Sequence, residues 1–79
     1  MADQTIDLRG LKCPLPVLVT GKRLASLAAG DMLTVECTDP LAAIDIPNLL
    51  RQTGDTLEST AHRNGLLVFR ICKTAKDTR

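Results

Sequence analysis

Aromatic side chains are almost absent from this sequence: Phe69 is the only one, and there is neither Trp nor Tyr. The formal net charge is +1, and no basic or acidic run interrupts the chain. Proteins that bind single-stranded nucleic acids combine a basic surface with aromatic side chains on which bases stack. The composition therefore argues against a direct nucleic-acid partner, although a small regulatory or nucleic-acid-binding module remains one alternative.

Long apolar runs are also missing. No stretch approaches the roughly 18 residues that span a bilayer as a helix, and residues 1–4 have neither the basic flank nor the apolar core of a secretory signal. We therefore expect a cytoplasmic protein without a membrane partner. The content of 44% hydrophobic and 24% charged residues is typical of a globular domain. We expect one domain over residues 1–79, with an ordered core at about 4–73 and a flexible tail at 74–79.

The chain has few of the side chains that hold metals or cofactors. Its three cysteines, Cys13, Cys37 and Cys72, form no C-x-x-C pair, and His62 is the only histidine. This spacing fits neither a zinc site nor a disulfide framework, and no glycine-rich phosphate loop is present. We therefore expect no metal and no cofactor. In a reducing compartment the three cysteines should be free thiols.

Local patterns predict four strands and two helices. Alternating apolar and polar residues place strands at about 4–8, 32–37, 56–61 and 66–72, and apolar residues at helical spacing place helices at about 14–29 and 46–53.

The ends of the helices have their own signals. Gly30 is predicted to stop the first helix, and Gly54 the second. Pro47 would break a helix that began earlier. Residues 40–44 are therefore predicted to form a turn, with Asp45 as the cap of the second helix.

The element order βαβαββ limits the architecture. Right-handed strand–helix–strand crossovers place both helices on one face of the sheet. Asn64-Gly65 is a strong signal for a hairpin between the last two strands. The fourth strand is then antiparallel to the third and can also insert beside the second. The sequence predicts a two-layer α/β sandwich with a mixed four-stranded sheet and one open sheet face.

Cys13 is the strongest candidate for chemistry. It directly precedes a helix whose first turn contains Pro14 and Pro16, so the turn is stiff and the sulfur is held outward. The positive end of the helix, with Arg9 and Lys12 nearby, favours a thiolate and predicts a lowered pKa. The competing interpretation is a small residue that fills a turn, but a cysteine between Lys12 and Pro14 is a poor candidate for burial.

The other two cysteines are predicted to be structural. Cys37 shares the parity of Leu33 and Val35 on its strand, which indicates core packing. It lies on the same sheet edge as Cys13, so a thiol redox sensor that uses Cys13 and Cys37 is a second alternative. Cys72 ends the fourth strand. If that strand is antiparallel to the second, Cys72 lies beyond disulfide reach of Cys37.

Several short motifs occur in register along the chain. The segment Asp7–Val17, with the letters DLRGLKCPLPV, is followed by three further matches: Gly30-Asp31, Asp39-Pro40 and Asp45-Ile46-Pro47. Together they resemble the signature of the TusA-type sulfur carriers, also called the SirA-like family, over about residues 5 to 72. The resemblance implies the sheet order 1-2-4-3 with the fourth strand antiparallel.

The resemblance also implies a function. Cys13 is the nucleophile that accepts a sulfane sulfur as a persulfide and hands it on, so the protein is a sulfurtransferase without a self-contained active site. Gly10, Pro14 and Pro16 shape the loop. Asp45, Ile46 and Pro47 have a structural role, as a cap and a staple.

Partners follow from the same resemblance. The sulfur donor is a cysteine desulfurase or a rhodanese-type protein, and the acceptor is a protein in transfer-RNA thiolation, molybdenum-cofactor synthesis or sulfur oxidation. The carrier itself is expected to be a monomer. The side chains predicted to contact partners are Arg9, Lys12, Leu15, Lys22 and Arg23. For the basic residues, a solvated helix face is a nearly equal interpretation.

Overall fold

The computed structural model describes residues 3–74 and contains the predicted order of elements. These are β1 (Asp3–Leu8), α1 (Leu15–Ala25), β2 (Met32–Cys37), α2 (Ala42–Thr53), β3 (Thr56–Arg63) and β4 (Leu66–Cys72). The predicted flexible tail falls, from residue 75 onward, outside the described residues. Within residues 3–74, no helix has the length and apolar character needed to cross a membrane.

The four strands form one mixed sheet in the order β1-β2-β4-β3, which confirms the order implied by the family resemblance. β1 and β2 are parallel, whereas β4 is antiparallel to both of its neighbours. Val35 therefore pairs with Ile6 on one side and Phe69 on the other. Because consecutive side chains of a strand alternate between faces, these three apolar residues share one face of the sheet.

Both helices pack on that face, and a single aliphatic core lies between the two layers. Leu24 of α1 is 1% exposed, and Ile46 of α2 and Phe69 of β4 are fully buried. The sole aromatic side chain thus lies in the core, where it cannot stack on a nucleic-acid base. The two-layer α/β sandwich is confirmed.

α1 is shorter than predicted. It ends at Ala25 rather than at residue 29, with Ser26 as its C-cap. The Ser26 N–H donates to the carbonyl oxygen of Arg23 at 3.0 Å, and the Leu27 N–H donates to that of Leu24 at 3.1 Å. Such three-residue hydrogen bonds tighten the last turn and end the helix. Gly30 is therefore not the helix stop. It lies in the following turn with φ 96°.

α2 is longer than predicted. It begins at Ala42 and continues through Pro47. The turn predicted at 40–44 is therefore confined to residues 40 and 41, and the prediction is wrong for 42–44. An interior proline costs about 3 kcal/mol. Burial of Ile46 and Leu50, which are 0% and 4% exposed, stabilises the helix by roughly 1.5–3 kcal/mol for each side chain and offsets that cost. The predicted stop at Gly54 is confirmed, with φ 85°.

The predicted hairpin between β3 and β4 is also confirmed. Asn64 and Gly65 have φ values of 47° and 81°, as a two-residue turn of this kind requires. β3 continues to Arg63, two residues beyond its predicted end.

Candidate functional site

Cys13 lies exposed in the loop between β1 and α1, at the carboxyl edge of the parallel strand pair. An open groove between α1 and α2 begins at its side chain. The groove is lined by Cys13, Pro14, Val17, Asp45, Asn48, Leu49 and Gln52.

Two loops meet at this edge because β1 and β2 are parallel and each is followed by a helix. The Gly10 N–H donates to the Thr38 hydroxyl at 2.9 Å. The Cys13 N–H donates to the Asp39 carboxylate, whose other oxygen accepts the Leu41 N–H at 3.0 Å. Gly10 has φ 86°, a conformation that other residues adopt at a cost of about 1 kcal/mol or more. The loop that contains Cys13 is thus hydrogen-bonded to the loop that precedes α2.

The two prolines lie at the start of α1, close to where the sequence places them. Pro14 is the N-cap, one position before the first helical residue, and its carbonyl oxygen accepts the Leu18 N–H at 3.1 Å. Pro16 is buried in the core beneath the loop, whereas Pro14 is exposed beside the sulfur. One proline therefore anchors the helix start and the other borders the groove.

Asp45 contacts the sulfur directly, which sequence reasoning missed. The Cys13 thiol donates to Asp45 Oδ2 at an Sγ–O distance of 3.0 Å, between residues 32 positions apart. The prediction that Asp45 caps α2 is wrong, because Leu41 is the N-cap and no side chain caps this helix end. The sequence signal that could have indicated this contact is the motif Asp45-Ile46-Pro47, which occurs together with the cysteine motif in the family resemblance.

The acid–base state of Cys13 also differs from the prediction. The pKa of the Cys13 thiol is raised, not lowered, mainly by the hydrogen bond to Asp45, and further by desolvation and by the charges of Asp45 and Asp39. The helix end offers roughly half a positive charge, whereas each carboxylate has a full negative charge. The backbone N–H groups of Leu41 and Cys13 hold the pKa of Asp39 below its usual value, so this carboxylate stays ionised beside the loop.

The predicted docking residues do not form one cluster. Arg9 is paired with Asp7 at 2.9 Å, and hydrogen bonds from Arg9 lower the pKa of Asp7 to about 2. Arg23 donates to the side chain of Gln4. Lys22 and Arg23 lie in the last turn of α1, about two turns from the cysteine. Of the predicted contact residues, Lys12 and Leu15 are nearest to Cys13 in the chain, and Lys22 and Arg23 are farthest from it.

The remaining cysteines are placed as the sequence predicts. Cys37 is fully buried in the core, and desolvation raises the pKa of its thiol to about 11. Cys72 pairs with Met32 and Cys37 with Leu67, so the two cysteines lie at opposite ends of the β2–β4 ladder. All three thiols are free. Because Cys37 is buried, a redox pair with Cys13 would require the core to open.

Comparison with known proteins agrees with this geometry. The family model described as Sulfurtransferase TusA matches residues 4–73. The chain belongs to the TusA family. A protein of Neisseria meningitidis serogroup A is 44% identical over 69 residues, which cover 87% of this chain and 93% of that protein.

A second TusA-family relative is the sulfur carrier protein TusA of Allochromatium vinosum. It is 38% identical over 72 residues, covering 91% of this chain and 95% of the relative. The crystal structure of a SirA-like protein from Desulfitobacterium hafniense has a TM-score of 0.80 at 27% identity, covering 90% of this chain and 97% of that one. The family resemblance and the fold are thereby confirmed.

Proposed function

We propose that this protein is a sulfur carrier that accepts a sulfane sulfur as a persulfide on Cys13 and relays it to an acceptor protein. The observation that carries the proposal is the placement of one exposed thiol on a proline-stiffened loop at the mouth of a groove. The sulfur carrier named among the relatives, and the match to the family over residues 4–73, support the same function.

The transfer is a balanced exchange between sulfur atoms. The Cys13 thiolate attacks the outer sulfur of a donor persulfide, a new S–S bond forms at Cys13, and the donor S–S bond breaks. The donor cysteine leaves as a thiolate and takes up the proton that Cys13 has lost. The exchange as a whole involves no net oxidation or reduction, because the S–S bond gained by the carrier is the one lost by the donor. Delivery to the acceptor cysteine repeats this step in the opposite direction.

The partners in this proposal are proteins. The donor is a cysteine desulfurase or a rhodanese-type protein, and the acceptor presents a cysteine of its own. The carrier acts as a monomer in the cytoplasm, where reducing conditions keep its thiols free, with no direct nucleic-acid or membrane contact. Its product enters transfer-RNA thiolation, molybdenum-cofactor synthesis or sulfur oxidation.

Exposed apolar side chains favour a protein partner at this edge. Four large ones lie on the first turns of the two helices, beside the loop of Cys13; they are Leu15 at 46%, Leu18 at 60%, Leu41 at 51% and Ile44 at 61% exposed. Large apolar residues exposed around a reactive group are typical of a protein interaction surface. We call these four residues the apolar rim.

Intact-mass measurement tests the proposal. The protein is incubated with a cysteine desulfurase and cysteine, or with a rhodanese and thiosulfate. We expect one added sulfur that a reductant removes, present in the wild type and in the matched variants Cys37→Ala and Cys72→Ser but absent from Cys13→Ser. Sulfur loading of Cys13→Ser, or no loading of the wild type by either donor, would refute the carrier function.

A further inference from the structure

The Asp45 carboxylate lies directly beside the Cys13 sulfur at the mouth of the groove. Among the seven residues that line the groove, Asp45 is the only one with a charge. Its Oδ2 lies 3.0 Å from Cys13 Sγ and accepts the thiol hydrogen. A carboxylate has no proton to donate when ionised, so it can accept a hydrogen bond from a thiol but can only repel a thiolate or a persulfide anion.

We propose that Asp45 distinguishes the empty carrier from the loaded one: it holds the Cys13 thiol by a hydrogen bond when no sulfur is bound, and repels the terminal sulfur anion of the persulfide. This inference rests on the proposed sulfur carrier function and names a second residue of the same site. Repulsion turns the terminal sulfur away from Asp45 and out of the groove, where a partner protein can reach it. It also makes the loaded state less stable than the same persulfide on an isolated cysteine.

The other charges near Cys13 do not replace Asp45. Asp39, in the loop after β2, contacts the backbone N–H of Cys13 and not the sulfur. Lys12 precedes Cys13 and interacts electrostatically with Asp39. Arg9 is paired with Asp7. The other lining residues are uncharged: Pro14 and Val17 at the start of α1, and Asn48, Leu49 and Gln52 on α2.

The raised pKa of Cys13 agrees with this arrangement, since the hydrogen bond to Asp45 is its largest cause.

A small persulfide can load Cys13 without a protein partner, so the equilibrium between the empty and the loaded carrier can be measured directly. Glutathione persulfide and the Cys13 thiol exchange to glutathione and the Cys13 persulfide, one S–S bond breaking as another forms, with no net oxidation. The persulfide ionises more readily than the thiol, so the product side has the anion that Asp45 repels.

The variant Asp45→Asn tests the proposal in the full-length chain. Asparagine keeps the size and an acceptor oxygen but removes the charge. We measure the alkylation rate of Cys13 by iodoacetamide against pH, with peptide mass mapping, and the equilibrium constant for loading with glutathione persulfide and glutathione. Both should rise roughly threefold to tenfold near pH 7, the range for loss of a unit charge a few ångströms away in a wet site.

Control variants separate charge from structure. Asp45→Ser repeats the charge removal in case the asparagine variant is poorly folded. Asp45→Glu keeps the charge and should remain near the wild type in both measurements. Glu58→Gln makes the same change in net charge on β3, at the far edge of the sheet, and should change neither measurement.

The outcomes distinguish the two proposals. If Asp45→Asn and Asp45→Ser both match the wild type within twofold, or load less sulfur than it, the role of Asp45 is refuted while the carrier function stands. If the wild type acquires no sulfur on Cys13, the carrier function fails and this inference fails with it.

Discussion

Alkaline pH should destabilise the folded domain through Cys37. Burial in the core, with a smaller effect from the charge of Asp39, raises the pKa of this thiol from its ordinary 9.0 to about 11. The neutral thiol is the form that the core accepts. The stabilisation is therefore complete below pH 9 and is lost as pH rises toward 11, because the unfolded chain releases this proton first.

The size of the effect follows from the two pKa values. A gap of about two pH units corresponds to roughly 2.7 kcal/mol in total, of which about 2 kcal/mol is lost by about pH 10.5. A 79-residue domain has a free energy of unfolding of roughly 4–12 kcal/mol. Ionisation of this single buried thiol should thus remove a substantial share of the stability.

Urea unfolding near pH 7 and near pH 10.5 measures this loss in the wild type, Cys37→Ala and Cys72→Ala. With a slope of about 1 kcal/mol per molar urea, the wild-type midpoint should fall by about 2 M more than that of Cys37→Ala. The chain has no tyrosine, so no phenol titrates in this range. Cys72→Ala should behave like the wild type. An equal loss in Cys37→Ala and the wild type would refute the assignment to Cys37.

Two further changes test the core and the apolar rim. Thr20 is fully buried on α1, and its hydroxyl has no hydrogen-bond partner within the described part of the chain. Thr20→Val should therefore raise the free energy of unfolding by about 1 kcal/mol in urea titrations. A loss of stability in this variant would contradict the prediction. The double variant Leu15→Ser/Leu18→Ser should load sulfur from a protein donor about tenfold or more slowly, whereas its loading from glutathione persulfide should be unchanged. Equal slowing of both reactions would indicate that the Cys13 loop itself is disturbed.

Local patterns predicted the elements better than their ends. β2 and β4 have the bounds that alternation indicates, because one face of each is buried. The start of α2 was not predictable from Pro47 alone, since tertiary burial of Ile46 and Leu50 outweighs the local penalty. The pairing of β4 with β3 was predictable from the hairpin signal Asn64-Gly65. That signal allowed β4 to insert beside β2 but did not require it, and the full order 1-2-4-3 came from the family resemblance.

The site was predicted in part. Cys13 was found because the residues that shape its loop are its sequence neighbours. The contact with Asp45 was missed because it joins the loop of Cys13 to the first turn of α2, and the two residues are 32 positions apart in the chain. The pKa of Cys13 was predicted in the wrong direction, since the hydrogen bond to Asp45, followed by desolvation and the charges of Asp45 and Asp39, raises it. Pairwise charges of this kind require tertiary structure.

The sheet order has a consequence for the newly made protein. Of the four strands that the structure describes, β4 comes last in the chain, yet it lies inside the sheet, where it pairs with both β2 and β3. Until β4 has left the ribosome, β3 has no strand partner and the core lacks Phe69 and Ile71. The two loops that meet at Cys13 then have no completed sheet beneath them. We expect nascent chains to expose an ordinary cysteine, and the sulfur site to form only after β4 has left the ribosome and paired with β2 and β3.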